Sequence, residues 1–372
     1  MIVLHDPDTL LHDTVELVGA KIRSALESLA RIRTIVEKLS ESGEHSLRTI
    51  QSPLTSDDPS ELKALLSIIE WTHGREYLDH LKNAFDQWRV EQLIEQHENI
   101  LPECFVYPTK VHADPRPPKD VFARAGYFAF DMSSGIMSQT YRSVIASANL
   151  ASRSVRYVIE FKHIPGHGAP SVFALCRPPG HHCDGNRAGG YCYINNAAVC
   201  ISKYRSLSPF AESARVGILD LDFHHGNGTQ ELYYSDPQVF YASIHGEDEF
   251  PYYTGAASET GAGDAVGANL NLPLATGSDF EEYMKKLNQA LIALRDFRPE
   301  FLVVSLGFDT FHLDPLGSFQ ISTEHYALIA AEVRRVLADL PTVILLEGGY
   351  VLEHLGENVK SFLEGWEARM RE

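Results

Sequence analysis

Three stretches of this 372-residue chain carry side chains suited to holding a metal ion or moving a proton. The first is Asp220-Leu221-Asp222-Phe223-His224-His225, which closes the apolar run VGILDLD. Residues two apart in an extended chain point to the same side, so Asp222 and His224 can reach one ion. A carboxylate oxygen and an imidazole nitrogen suit Zn²⁺ and also other divalent first-row ions. Taken alone, such a D-x-H is equally a polar strand end facing solvent. The second is Asp309, at the end of SLGFD. An acid there is ordinarily just the start of a loop. Its meaning comes from company: a third ligand from a neighbouring strand tip completes an open site with room for water. Three protein ligands plus water is the catalytic pattern, and four is the structural one.

The third stretch is Arg177-Pro178-Pro179-Gly180-His181-His182, followed by Gly189-Gly190-Tyr191. Adjacent histidines in a loop bent by proline and glycine are held rigidly, and imidazole titrates near neutrality. In a chain of 17 histidines, a plain surface pair is the alternative. Glu347-Gly348-Gly349-Tyr350 offers a mobile turn and a hydroxyl able to donate to an oxyanion, or simply a buried tyrosine beside a turn. Gly255–Leu272 is glycine-rich, with Gly261, Gly263 and Gly267 spaced G-x-G-x-x-x-G. That is not the dinucleotide spacing, and no strand directly precedes it. A flexible active-site or surface loop is the better reading than a nucleotide site.

Something must position these groups. Val216–Asp222, Val239–His245, Phe301–Asp309 and Thr342–Tyr350 are apolar and rich in β-branched residues, as buried parallel strands are. Between them, Asp279–Phe297 and Ser322–Leu340 repeat apolar residues at steps of three and four, as helices do. The alternation predicts an α/β fold: one doubly wound, mostly parallel sheet with helices on both faces. Open parallel sheets bind ligands at the carboxyl ends of their strands, where every candidate group lies. Thr14–Ser42 and Glu76–Asn99 read as helical. Gln51–Ser60 and Pro108–Asp120 read as loops.

Composition narrows the classes. With 44% hydrophobic residues the chain can bury a large core. A balance of 32 basic against 50 acidic residues, net −18, repels phosphate backbones and disfavours nucleic acid as a direct partner. The same field attracts cationic substrates, although it also serves solubility alone. The five cysteines are odd in number and form no C-x-x-C, which points to a reducing cytoplasm rather than a disulfide framework. No signal peptide opens the chain and no run is long and apolar enough to span a bilayer.

Taken in order, RPPGHH, GGYCYINNAA, LDLDFHHGNGTQ, SLGFDTFHLDPLG and EGGY resemble the motif series of the histone deacetylase superfamily, over roughly Thr72 to Trp366. Within it, HGREYLDHLKNAFDQWR and the early ELVGA are similar to acetylpolyamine amidohydrolases. The resemblance implies an arginase/deacetylase-like catalytic domain over residues 1–372, with N-terminal loops and helices, up to about residue 120, elaborating the active-site rim. It implies one Zn²⁺ per chain on Asp222, His224 and Asp309, and His181 and His182 as the tandem catalytic histidines. Asp220 stands behind the first histidine and Asn227 behind the second, where a neutral partner stabilises imidazolium less than aspartate would. Tyr350 matches the transition-state tyrosine, and Gly190, Tyr191 and Phe250 match the substrate tunnel. A structural monovalent cation, usually K⁺, matches Ser243 and the backbone carbonyls of Asp220, Asp222 and His224.

Two departures bear on substrate. At the tunnel mouth, where acetylpolyamine enzymes tend to place an acid, stands Leu316, and the matching N-terminal position holds Ser133. Asp131 is placed to serve as that acid or as a peptide-backbone anchor, and Glu247, Asp248 and Glu249 are further candidates. The implied reaction is amide hydrolysis: His182, assisted by His181, takes a proton from water, Tyr350 steadies the oxyanion, and His182 protonates the leaving amine. The substrate is a small cationic acylated amine, an acetylpolyamine first and acetyl-lysine in protein or peptide second. A homodimer is left open. Two other classes are weighed. An inactive scaffold is disfavoured by the intact metal and histidine sets. A two-metal ureohydrolase is disfavoured by Gly226, which stands two after His224 where further carboxylates are wanted.

Overall fold

The computed structural model describes residues 1–106, 116–160, 169–207 and 213–368. Its centre is an eight-stranded sheet in which every pairing is parallel. In chain order the strands are β1 (Ile2–His5), β4 (Ser46–Thr49), β5 (Ser171–Ala174), β6 (Val216–Asp220), β7 (Val239–Gly246), β8 (Asn269–Leu274), β9 (Phe301–Leu306) and β10 (Thr342–Leu346). They lie side by side as β4-β1-β5-β10-β9-β6-β7-β8. β2 (Val15–Val18) and β3 (Lys21–Ser24) form a separate antiparallel hairpin.

Alternation along the strands builds two cores. Val343 and Leu345 of β10, Phe301 and Val303 of β9, and Val216 and Ile218 of β6 face one side. They meet helices α2 (Pro59–Ile69), α3 (Arg75–Val90), α4 (Val121–Tyr127), α5 (Thr140–Glu160) and α6 (Asn196–Leu207). Ile344 and Leu346, Leu302 and Val304, and Leu219 face the other side. There they meet α1 (Ala30–Ser42), α8 (Phe280–Phe297), α9 (Thr323–Val336) and α10 (Leu352–Ala368). α7 (Asn227–Tyr233) follows β6 directly. Helices on both faces of a parallel sheet are the doubly wound architecture predicted from the alternation. No described helix is long and apolar enough to cross a membrane.

Several local expectations need correction. Thr14–Ser42 is not one helix: its first part is the β2–β3 hairpin, turning at Gly19 with φ +60, and only Ala30–Ser42 is helical. The helix in Glu76–Asn99 ends at Val90, and Gln92 just beyond has φ +58. Gln51–Ser60 is a loop until Pro59 begins α2, with Asp58 capping it by accepting from the Ser60 N–H. Most of Pro108–Asp120 lies outside the described residues. Gly255–Leu272 ends in β8, so only its first part is loop. The strand readings ran too long: β6 ends at Asp220, β9 at Leu306 and β10 at Leu346. Asp222, His224, Asp309 and Tyr350 therefore sit in loops. Strand alternation is not what brings Asp222 and His224 together.

Candidate metal centre and active site

Five adjacent strands, β5, β10, β9, β6 and β7, end on the same edge of the sheet. Their following loops carry, in turn, Arg177–His182, Glu347–Tyr350, Asp309, Asp222 with His224, and Phe250. Ligand atoms of Asp222, His224 and Asp309 all lie within 4.8 Å of one another, and all three residues are buried. The Nδ1 of His224 stands 3.3 Å from Asp222 Oδ1 and 3.0 Å from Asp309 Oδ2. Backbone groups aim the carboxylates: Asp222 accepts from the N–H of His224 (2.9 Å) and Gly348 (2.7 Å), and Asp309 from that of Phe223 (2.9 Å).

Two glycines make this packing possible. A Cβ on Gly307 would stand 2.1 Å from Asp222 Oδ2, and one on Gly348 would stand 2.2 Å from Asp309 Oδ2. The first glycine of EGGY thus serves close approach to the carboxylates, and the second, Gly349, has φ +113 and packs against Phe308. Burial opposes charge on His224, but the two carboxylates outweigh it and raise the imidazole to about 10. Such a buried pocket calls for positive charge, and a divalent cation supplies it. Two carboxylate oxygens and one imidazole nitrogen, dry and convergent, fit Zn²⁺ with an open position.

His181 and His182 pack with ring centroids 4.0 Å apart and planes tilted by 44°, both buried. They differ in what lies behind them. His181 Nδ1–H donates to Asp220 Oδ2 at 3.2 Å, and Asp220 also accepts from Tyr241 Oη at 3.0 Å. Burial would lower His181, but Asp222 and Asp220 raise it to about 10. His182 Nδ1 meets the amide oxygen of Asn227 at 2.8 Å. An amide oxygen only accepts, so that nitrogen carries the proton and the Nε2 lone pair is left free. Burial, reinforced by His181 and His224, holds His182 well below 6.5. Gly226 is glycine because a Cβ there would stand 2.2 Å from Asp220 Oδ2.

These groups open into a cavity of about 370 Å³. His181, His182, His224, Gly190, Tyr191, Phe250, Leu316, Asp131 and Tyr350 all line it. Gly190 has φ +55, and a Cβ there would strike the His182 ring at 2.2 Å. Phe250 stands edge-on to His182, with centroids 5.0 Å apart. Burial pushes the Tyr350 hydroxyl well above 10, against the pull of Arg31 beneath its ring, so it stays a donor. The Tyr350 N–H donates to Asp314 Oδ2 at 2.7 Å, and Arg31 Nε donates to the Gly349 carbonyl at 2.7 Å.

The mouth carries Leu316 and two acids. Asp131 lines the cavity, but its carboxylate is occupied: it accepts from Ser133 N (3.0 Å), Ser133 Oγ (2.7 Å) and Gly190 N (2.9 Å). Glu247 and Asp248 are exposed, Glu249 half-buried, and none of the three lines the cavity. A second acid on the wall is Glu16, from the β2–β3 hairpin, which accepts from Tyr191 Oη at 2.7 Å. Reading Thr14–Ser42 as a helix hid it. The ELVGA segment, with a glycine turn after an acid, was the available signal. Arg31 and Glu347 were also missed as parts of the site.

Ser243 pairs with Asp220 across β6 and β7. His245 Nε2–H donates to the Gly255 carbonyl at 2.9 Å, so its Nδ1 accepts from Ser243 Oγ–H at 2.8 Å. The lone pairs of Ser243 Oγ therefore stay available to a cation. Among the described residues all five cysteines are free; Cys104 is exposed and the other four are buried.

Comparison with known proteins identifies the family. The profile of the histone deacetylase domain matches residues 25–366. Acetylpolyamine amidohydrolase 1 of Pseudomonas aeruginosa is 33% identical over 374 residues, covering 100% of both chains. Acetylpolyamine amidohydrolase of Mycoplana ramosa is 31% identical over 366 residues, covering 98% of each. The crystal structure of acetylpolyamine aminohydrolase from Burkholderia pseudomallei superposes with a TM-score of 0.83 at 31% identity, covering 99% of each chain. The chain belongs to the histone deacetylase family.

Proposed function

We propose that this deacetylase removes acetyl groups from acetylated polyamines, with the whole chain as one catalytic domain and residues up to about 120 shaping its rim. The observation that carries the reading is convergence in one cavity. His182 with a free Nε2, the protonated Tyr350 hydroxyl and the ligand His224 line one space of about 370 Å³, and His224 carries Asp222 and Asp309 within reach of the same ion.

Asp222, His224 and Asp309 would hold Zn²⁺, which as a Lewis acid acidifies water and polarises an amide carbonyl. The remaining chemistry belongs to the chain. His182 Nε2 takes the proton from the attacking water. Asn227 keeps the other nitrogen protonated, so the base is always presented on the cavity side. His181, whose Nδ1–H donates to Asp220, packs against His182 and assists it. The Tyr350 hydroxyl donates to the oxyanion. His182 then returns its proton to the leaving amine, giving acetate and a free amine. Ser243, with the carbonyls of Asp220, Asp222 and His224, would hold a structural K⁺ behind the ligand loop.

Two features favour a polyamine over acetyl-lysine in a peptide. The Glu16 carboxylate on the wall suits a free ammonium of the acetylated polyamine, and the net charge of −18 draws cations toward it. Asp131, the candidate peptide anchor, already spends its oxygens on Ser133 and Gly190. The same charge disfavours nucleic acid, and the free thiols suit a cytoplasmic setting. Zinc-loaded and chelated protein assayed on acetylputrescine, acetylspermidine and an acetyl-lysine peptide tests the reading. The polyamines should show kcat/KM at least 10-fold above the peptide, and chelation should abolish turnover. A better peptide substrate, or full activity after chelation, overturns it.

A further inference from the structure

Glu347 is fully buried, and its side chain reaches from the tip of β10 into the histidine loop after β5. The ladder between these strands ends at Leu345 and Ala174, so no strand pairing aligns the two loops beyond it. Glu347 Oε2 accepts from the Gly180 N–H at 2.8 Å and from the His181 N–H at 3.2 Å. The preceding residues Pro178 and Pro179 have no N–H to give. Both donors available over Pro178–His181 therefore go to this one oxygen. The loop carbonyls are tied elsewhere, Pro178 to Ser147 Oγ at 2.8 Å and His181 to the Thr229 N–H at 3.1 Å.

The other oxygen, Oε1, is buried and has no partner among the described residues. A buried carboxylate with half its acceptors unused is costly. Tying down two amides is a function that offsets that cost. The next residue adds a second link, because the Gly348 N–H holds the ligand Asp222. The segment then ends in Tyr350. One strand tip thus references the histidines, a metal ligand and the tyrosine to each other.

We infer that Glu347 is a positioning residue for deacetylation: its side-chain oxygen fixes the backbone at Gly180 and His181, and through it the aim of both imidazoles. The inference rests on the deacetylase reading above. A displacement of about 1 Å in a catalytic group can cost on the order of 10²-fold in rate. The test compares wild type, Glu347→Ala, Glu347→Met and Glu347→Gln as zinc-loaded proteins acting on acetylputrescine, with bound zinc and thermal midpoint measured for each. Glutamine keeps the accepting oxygen and puts an amide nitrogen at the unpartnered position. Methionine fills the volume but cannot accept.

Alanine and methionine should lose roughly 10- to 100-fold in kcat, with KM and bound zinc within about threefold of wild type. Glutamine should recover most of the loss. If Glu347→Ala does not fold, the contrast between methionine and glutamine decides. Wild-type kcat in the methionine variant, a glutamine variant as slow as methionine, or a loss explained by missing zinc overturns the positioning role. Wild-type protein inert toward acetylputrescine and acetyl-lysine peptide alike sinks the deacetylase reading, and this role with it.

Discussion

Replacing Gly348 with alanine adds one methyl group beside two of the three candidate ligands. Built on the existing backbone, that carbon stands 2.2 Å from Asp309 Oδ2 and 2.8 Å from Asp222 Oδ2. Real contacts of this kind essentially never fall under 3.0 Å, so the Asp309 carboxylate must retreat by about 0.8 Å. Metal–ligand distances are held within about 0.2 Å of their ideal values. The displaced carboxylate therefore stops being a ligand. Gly348 is not among the residues with positive φ, so alanine brings no backbone strain and the effect comes from the methyl alone. Disturbing an outer partner of a ligand ordinarily costs 10- to 100-fold in metal affinity, so ejecting a ligand should cost at least about 100-fold. Zinc affinity measured by competition with a chromophoric chelator gives the number, and a thermal midpoint shows that the fold survives. Gly307→Ala, whose Cβ would press on Asp222 from β9's side at 2.1 Å, should fail in the same way. Asp309→Ala sets the limit for a deleted ligand. A Gly348→Ala protein that holds zinc as tightly as wild type would refute the triad as the metal site.

Three further outcomes follow from the geometry. Tyr350→Phe should lower kcat by roughly 10²–10³ with zinc retained, the usual cost of one lost oxyanion donor; near-normal turnover removes the hydroxyl from the mechanism. Glu16→Gln should raise KM for acetylspermidine severalfold at low ionic strength while leaving a neutral N-alkylacetamide unaffected; equal effects on both refute a charge-reading role. Burial lowers His73 and His245 to about 4 and His80 to about 3. Against an unfolded value of about 6.5, the folded state binds fewer protons, so stability is complete above pH 6.5 and drains away as pH falls toward 4. At pH 5 each contributes a loss on the order of 2 kcal/mol. His80→Phe, which keeps the stack on Phe128, should flatten the fall of the thermal midpoint between pH 7 and 5; an unchanged slope would contradict this.

The central strands and their tips were legible because β6, β7, β9 and β10 are buried on both faces and read as unbroken apolar runs. β1 and the edge strand β4 beside it are only four residues long, with IVLH and SLRT too short to show a period. α5 went unread for the opposite reason. Its TYRSVIASANLASRSVRYVIE is rich in buried alanine and serine, which blur the contrast between the apolar face and the polar stripe of Arg142, Arg153, Arg156 and Glu160. In the β2–β3 hairpin, Leu17, Val18 and Ile22 mimic helical spacing but are 40%, 42% and 66% exposed. They line a rim instead of a core. Asp222, His224, Asp309 and Tyr350 could be chosen from their types and motifs. Glu16 and Glu347 stand in the motifs ELVGA and EGGY, but their roles and that of Arg31 could not be read, since their partners lie far away in sequence and only the folded chain names them.

The order of strands across the sheet sets a schedule for synthesis. β9 and β10, which emerge after residue 300, insert between β5 and β6, which are made long before. A nascent chain halted near residue 299 holds two strand groups, β4-β1-β5 and β6-β7-β8, with nothing to join them. Asp309 and Tyr350 have not yet been translated. Metal capture must then wait until Asp309 has been made, and a product terminated before it leaves the ribosome with an unsealed apolar seam where its middle should be. Such fragments present quality-control machinery with exposed greasy edges rather than a half-working hydrolase.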